Sequence, residues 1–199
     1  MADFQRYFNA RNTLIAAVVI TLFGHYYMSQ SPSPSSFPMS QTSSEVPGLS
    51  LSLSQISKSP PTLRITLKND SPDTPYTLLK WGTPLDDAAL NTGVFEITDA
   101  DSGAEVEQVT LHIRRKMPPG QDQLVGVNPG EEESVEVVFD RPWMPEMKPA
   151  KYKVKAGGFL KGVWDRPMSE VTDDDTNEYT QSPLAGKTFV TNEVELVVE

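Results

Sequence analysis

Apolar and polar residues alternate in short runs along most of the chain, and this period of two most limits how it can fold. Leu49, Leu51 and Leu53 alternate with serines, and residues 62–69 and 192–199 repeat the pattern. Successive side chains of a β-strand point to opposite faces, so each run predicts a strand with one buried and one exposed face. The chain is therefore expected to consist of strands rather than helices.

About nine such runs follow one another after residue 48, and turns rich in Asp, Pro and Gly separate them. They comprise residues 49–54, 62–69, 76–81, 93–99, 105–115, 123–127, 133–140, 150–158 and 192–199. No segment in this region has a convincing helical period. Short strands joined by turns of this kind predict an all-β fold, an antiparallel immunoglobulin-like β-sandwich. The Cys pair of antibody domains is absent, so we expect a likeness of architecture only.

The N-terminal 28 residues have a different character. Residues 13–24 are uncharged and strongly apolar, and His25, Tyr26 and Tyr27 follow them. The run is shorter than the roughly 20 residues that a membrane helix usually needs. Its cleavage sites are poor, so it fits a short uncleaved signal anchor, a cleaved signal peptide, or a buried or disordered N-terminal segment. We therefore expect a single-pass membrane protein with a lumenal or extracellular domain or, alternatively, a secreted protein.

Residues 29–48 form a predicted linker between this segment and the β domain. They contain eight Ser and four Pro and show no periodicity. Such a segment cannot bury enough apolar surface to offset the entropy of ordering it. The expected organisation is a signal anchor or signal peptide with one short apolar helix in residues 1–28, a Ser/Pro linker in 29–48 and a β-sandwich in 49–199.

The charge of the chain limits its partners. The formal net charge is −10, with 27 acidic and 17 basic residues. A nucleic-acid-binding surface needs clustered Lys and Arg, so nucleic acid is excluded as an expected partner. The expected partners are a protein and, through the N-terminal segment, a membrane.

The search for catalytic or metal-binding patterns is negative. A nucleophilic triad needs a histidine base, and the β domain has only His112, which lies on a predicted strand. The pattern H-E-x-x-H is absent, and the acidic residues 173–175 are interpreted as a solvated loop. We therefore expect no catalytic residues, no metal and no cofactor, and do not expect an enzyme.

Two surface features remain as candidate sites. Asn69 begins an N-glycosylation sequon, although Pro72 directly after it disfavours its use. A basic patch is predicted from two groups of residues: Arg114, Arg115 and Lys116, and Lys151, Lys153 and Lys155. These cations could contact an acidic partner. Alternatively, the lysines protect an exposed strand against pairing with other chains.

The order of several motifs resembles the N-terminal propeptide domain of the deuterolysin family of secreted fungal zinc endopeptidases, to which the peptidyl-Lys metalloendopeptidases are related. The likeness covers about residues 49–199 and rests on turns and core positions. The matching residues are Lys68-Asn69, Leu78-Leu79-Lys80, Gly82-Thr83, Leu85-Asp86, Ser102-Gly103, Glu105-Val106, Pro129-Gly130-Glu131, Phe139-Asp140 and 192–199.

This resemblance implies a propeptide-like domain that stands alone. In the family the last strand leads into a zinc-binding catalytic domain, whereas here the sequence ends at Glu199. Propeptides of secreted proteases commonly assist folding and block the active site. The resemblance therefore implies a binding module that inhibits a deuterolysin-like zinc metalloprotease, or assists its folding, in trans. The alternative is a membrane-anchored ectodomain or an accessory protein, for example of a fungal biosynthetic cluster, with an unrelated partner.

Overall fold

A computed structural model describes residues 45–144 and 150–199. The predicted N-terminal segment and most of the predicted linker lie outside the described residues. Ten strands are present: β1 (Leu49–Lys58), β2 (Pro61–Asn69), β3 (Tyr76–Leu79), β4 (Phe95–Asp99), β5 (Leu124–Val127), β6 (Glu132–Val138), β7 (Ala150–Phe159), β8 (Val163–Trp164), β9 (Thr188–Val190) and β10 (Val194–Val198). Within the described residues there is one short α-helix, α1 (Asp173–Asn177), which precedes β9, and there are four 3-10 helices of three residues each. Among the described residues, no helix has the length and apolar character needed to cross a bilayer.

The strands form three antiparallel sheets. β1, β2 and β6 make the first sheet, and β5, β3 and β8 make a small one. The remaining sheet has the order β10-β7-β4, and β9 pairs with the far end of β7. These sheets confirm the predicted all-β, immunoglobulin-like architecture, with ten strands rather than about nine.

The alternation in the sequence accounts for the core. In β1 and β2, Leu51 lies opposite Leu67 and Leu53 lies opposite Ile65, and all four side chains are buried. The intervening serines of β1 face solvent. On β7, Tyr152, Val154 and Ala156 point inward while the intervening residues are exposed. The two sheets thus bury one face each against the other.

Side-chain amides connect β1 to β10. Asn192 accepts a hydrogen bond from the backbone N–H of Leu53 (2.8 Å) and donates one to its carbonyl (3.0 Å). Gln55 does the same with Val197, donating to the carbonyl (2.7 Å) and accepting from the N–H (3.0 Å). We call Gln55 and Asn192 the amide seam. It occupies backbone groups of both strands that would otherwise be unpaired.

Two predicted segments differ from the structure, and the short strands β8 and β9 correspond to no predicted strand. Residues 105–115 were predicted as a strand, but the structure assigns them to none of its sheets. The acidic residues 173–175 were interpreted as a loop, yet they begin α1, where Thr172 and Asp175 form a capping box. Reciprocal bonds between these two residues satisfy the first helical N–H groups, so a short helix can form in an acidic segment.

Candidate binding surface

Residues 105–117, here called the strap, cross the surface beside β4. They meet β4 at an isolated antiparallel bridge between Glu105 and Thr98 but form no strand of a sheet. From Val106 to Lys116 the chain contains no helix, turn or bend. Val106 donates to the carbonyl of Ile97 (2.9 Å), and Leu111 donates to the carbonyl of Asn91 (2.7 Å). Within residues 45–144 and 150–199, no other backbone N–H of the strap has a main-chain acceptor. The strap is therefore an extended segment with most of its backbone donors unused.

The strap also exposes large apolar side chains. Val109, Leu111 and Ile113 are 62%, 56% and 38% exposed. They stand in contrast to the fully buried leucines of β2. Exposed apolar residues are common singly, but a cluster on one segment is typical of an interaction surface.

Two grooves of about 590 and 680 Å³ lie along the strap. Gly93, Val94 and Gly157 line both of them. A Cβ at Gly93 would lie 3.0 Å from Cγ2 of Thr110, and the residue has a φ of +71°. Glycine is therefore required at position 93 both for its backbone conformation and for the close approach of the strap.

The C-terminal part of the strap is held by Arg115. Nη2 of Arg115 is 2.5 Å from Oδ2 of Asp86, a carboxylate whose side chain is 2% exposed. The guanidinium also lies 5.4 Å from the ring centre of Trp81. Asp86 accepts further hydrogen bonds from the backbone N–H groups of Gly82 and Ala88. This buried ion pair and the cation–π contact fix one end of the strap to the domain.

A second apolar cluster supports this anchor. It consists of Leu79, Trp81, Leu124, Trp164 and Val171, with Tyr179 packed against it. Nε1 of Trp81 donates to Oε1 of Gln123 at 2.7 Å. The indole is thus fixed in position beneath the guanidinium of Arg115.

The turn before the strap depends on Asp99. Its Oδ1 accepts from the backbone N–H groups of Asp101 and Ser102 and from the hydroxyl of Ser102. These bonds favour the ionised form, with the two from Ser102 the largest, and they hold the pKa of Asp99 below its ordinary value of 3.8. The turn that starts the strap is therefore held by a carboxylate.

The six residues of the predicted basic patch lie on two surfaces. Lys151, Lys153 and Lys155 project from the exposed face of β7, and they pair with Glu195 (3.3 Å), Glu193 (3.8 Å) and Glu96 (2.9 Å). The hydrogen bond and charge of Glu96 raise the pKa of Lys155. Neighbouring strands thus offset much of the charge of the lysines.

Arg114, Arg115 and Lys116 belong to the strap. Arg115 is engaged by Asp86, whereas Arg114 and Lys116 are exposed and make no ion pair with the described residues. His112, which is also exposed, lies on the same segment and lines one groove. The cations that remain available to a partner are therefore on the strap.

Asn69 is completely buried. Its Nδ2 donates to the carbonyls of Thr74 (2.8 Å) and Val127 (3.1 Å), and its Oδ1 accepts from the N–H and hydroxyl of Ser71. A glycan would replace a hydrogen of Nδ2 and break at least one of these bonds. We therefore expect the folded domain to carry no glycan at Asn69.

The residues that define this site are only partly those predicted from the sequence. Trp81 ends the predicted strand 76–81 and Asp86 belongs to the matched motif Leu85-Asp86, and Asp86 and Arg115 are 29 positions apart in the sequence. A local pattern cannot show that such distant residues meet. The strap itself was visible as an alternating run, which is why a strand was expected there. Among the described residues, no group of three or more His, Cys, Asp or Glu side chains could hold a metal ion.

The fold defines the class of this protein as an immunoglobulin-like, all-β domain, and an extended segment, the strap, lies on its surface. The chain belongs to the immunoglobulin-like domain family, whose model matches residues 48–198. A stretch of 117 residues is also 34% identical to an uncharacterised secreted protein of Arthroderma benhamiae. That stretch spans 58% of this chain and 59% of the relative.

Proposed function

We propose that this domain is a non-catalytic protein-binding module whose docking surface is the strap. The observation that carries the proposal is the combination, on residues 105–117, of unused backbone donors with exposed apolar side chains. An extended partner segment can pair with such a backbone and place its apolar side chains against those of the strap. The long strands β1, β2, β6 and β7 each pair with at least one neighbour within a sheet, whereas the strap belongs to no strand.

The anchor at Arg115 supports a binding role. Asp86 and Trp81 fix this end of the strap before any partner arrives. A surface that is already ordered loses less conformational entropy on binding than a free loop. The strap is thus both open to a partner and held in place for one.

For the partner, we propose a zinc metalloprotease of the deuterolysin type, which the domain inhibits or helps to fold in trans. The resemblance of residues 49–199 to the propeptides of that family supports this choice. Extended segments of one protein commonly bind another protein by adding as a strand to an exposed edge of its sheet, and we propose that the strap pairs with the partner in this way. The alternative that follows from the sequence, an ectodomain or accessory protein with an unrelated partner, would use the same surface.

For the location, we propose that the domain acts outside the cytosol. The related protein of Arthroderma benhamiae is described as secreted, which supports export of this chain. The predicted anchor or signal peptide in residues 1–28 lies outside the described residues. Fractionation of cells expressing the full chain, followed by N-terminal sequencing, distinguishes a membrane-anchored form from a cleaved, secreted form.

The test of the function uses the full chain and a panel of secreted fungal zinc endopeptidases. We expect saturable binding to at least one deuterolysin-type enzyme and a loss of its activity on a peptide substrate. The double variant Leu111→Lys/Ile113→Lys should abolish the binding. The matched control Val190→Lys changes a side chain that is 68% exposed but lies on β9, and it should bind as the unchanged protein does. No binding across the panel, or equal binding by the double variant, would overturn the proposal.

A further inference from the structure

The C-terminal half of the strap carries three consecutive basic residues in an extended chain. From Val106 to Lys116 the chain has no helix, turn or bend, and a bend begins at Met117. Endopeptidases bind the residues around the bond they cut as an extended strand, so this conformation needs little change to enter an active-site cleft. The bond between Arg114 and Arg115 has extended residues on both sides, whereas the bond after Lys116 leads into the bend.

Arg114 has a side chain that is free to enter the specificity pocket of a protease. It is exposed and makes no ion pair with the described residues. Arg115 instead pairs with the buried carboxylate of Asp86 and lies against Trp81. Proteases that cut after basic residues bind them through a carboxylate in the pocket. Entry of Arg115 into such a pocket would break its ion pair, whereas entry of Arg114 breaks no contact of this kind.

The basic residues outside the strap are less suited to cleavage in the part of the chain that the structure describes. Six of them lie within strands of the sheets: Lys58, Arg64, Lys68, Lys151, Lys153 and Lys155. A paired strand enters a protease only after the domain opens, which lowers the rate of cutting. Lys161 is exposed, but its neighbours Leu160 and Gly162 are buried. The remaining four are half-buried: Lys80, Arg141, Arg166 and Lys187.

We propose that the strap is a processing site, at which an endopeptidase specific for basic residues hydrolyses the peptide bond between Arg114 and Arg115. Water adds across this bond, so that Arg114 gains a C-terminal carboxylate and Arg115 gains a new α-amino group. The inference rests on the proposed function, because the cut regulates the docking surface. Residues 109–113 keep their exposed apolar side chains but lose their covalent link to the anchor at Asp86. A surface that is no longer held in place loses more conformational entropy on binding and binds more weakly.

The cut domain should remain assembled. One fragment would carry β1 to β4 and the other β5 to β10. Each of the three sheets contains strands from both fragments, since β2 pairs with β6, β3 pairs with β5 and β8, and β4 pairs with β7. Cutting the strap therefore breaks the chain without removing a strand pair, and the processed protein differs from the intact one at the docking surface.

Brief digestion of the full chain with trypsin, followed over time by mass spectrometry, tests whether this bond is accessible. Within residues 45–144 and 150–199, we expect the first cut after Arg114. Arg114→Gln should slow the first cut of the strap at least about tenfold, because the pocket loses its ion pair. The matched control Lys161→Gln removes an exposed cation outside the strap and should be cut as the unchanged protein is. A first cut elsewhere in these ranges, or an unchanged rate for Arg114→Gln, would overturn the inference.

Hydrogen exchange of the cut protein tests the effect on the docking surface. The amide of Leu111, which donates to the carbonyl of Asn91, should exchange faster after the cut than before it. Equal exchange before and after would show that the cut does not loosen the strap, and the proposed regulation would then be wrong.

Mass spectrometry of the chain recovered from the cells that make it tests whether the cut occurs there. We expect part of the material to consist of two fragments that separate only under denaturing conditions. Recovery of the intact chain alone would overturn the inference. None of these measurements uses a partner, so their failure is distinct from failure of the proposed function, in which the uncut strap binds a protease.

Discussion

The amide seam and the strap are two solutions to the same problem, an extended segment with no complete strand partner. At the seam, Gln55 and Asn192 supply side-chain amides that bond to the backbone of the neighbouring strand. Along the strap, two backbone bonds and the Arg115–Asp86 pair hold the chain, and the other backbone N–H groups have no main-chain acceptor among the described residues. Edges with unpaired backbone groups readily pair with another chain. The seam closes one side of the sandwich, whereas the strap leaves another side open.

The difference shows which contacts serve stability and which are available for binding. The groups of the seam are satisfied within the domain, so their loss should destabilise it. The apolar side chains of the strap are exposed, so their replacement should leave the fold intact and remove binding. Each of the following variants tests one side of this contrast.

The largest effect is expected from the double variant Gln55→Ala/Asn192→Ala. It removes four hydrogen bonds to Leu53 and Val197. At a net value of about 1 kcal/mol each, we expect the free energy of unfolding to fall by about 4 kcal/mol, and by less if water replaces the amides.

Urea unfolding followed by fluorescence measures this loss. The matched control Gln121→Ala/Asn177→Ala removes two exposed amides elsewhere in the domain. Its free energy of unfolding should stay within about 0.5 kcal/mol of the unchanged protein. Equal losses of unfolding free energy in the two double variants would show that the amides of the seam stabilise the domain no more than exposed amides elsewhere do.

Arg115→Ala should have the next largest effect, because it leaves the buried carboxylate of Asp86 without its cation. Loss of one partner of a fully buried pair costs about 3–5 kcal/mol, and the partial exposure of Arg115 lowers our expectation to about 2 kcal/mol. The neighbouring Arg114→Ala removes the same charge from an exposed position and is the control. Thermal unfolding of the two variants should differ clearly, and equal melting temperatures would contradict the role of the anchor.

Lowering the pH should reduce the hydrogen-exchange protection of the strap before it reduces that of the amide seam. A carboxyl whose pKa is lowered by folding stabilises the fold above its unfolded pKa, and this contribution is lost as the pH falls through the folded pKa. For Asp99 the loss begins near its ordinary value of 3.8 and continues below it. The amides of Gln55 and Asn192 do not titrate in this range. Hydrogen exchange at pH 5 and pH 3, corrected for the intrinsic rates, should show Val106 losing protection while Val197 retains it.

Asp99→Asn is the variant that checks the cause of this acid response. The amide cannot lose a charge on acidification, so Val106 should show little change in protection between the two pH values. A response as large as in the unchanged protein would assign the effect to another group.

The smallest effect on stability is expected from Leu111→Ser. The leucine is 56% exposed, so the free energy of unfolding should change by no more than about 0.5 kcal/mol. The buried Leu63→Ala should instead lower it by about 3 kcal/mol. A loss for Leu111→Ser close to that of Leu63→Ala would mean that the strap belongs to the core.

Alternation in the sequence predicted β1, β2, β7 and β10 because each of these strands has one face in the core. The same pattern in residues 105–115 did not predict their pairing, since alternation is local and a sheet also needs a neighbouring strand. The helix α1 carries a detectable signal, Thr172 followed three residues later by Asp175, but it lies in an acidic segment without an apolar period. The burial of Asn69 depends on Thr74 and Val127, and no local pattern shows that contact.

Amide hydrogen exchange of the dilute, partner-free protein tests most directly whether the strap is an open edge. The amides of Thr110 and His112 should exchange close to the rate of an unprotected chain. Those of Leu53 and Val197, which donate to the seam, should exchange only through larger opening of the domain. Protection of Thr110 and His112 equal to that of Val197 would contradict an open strap.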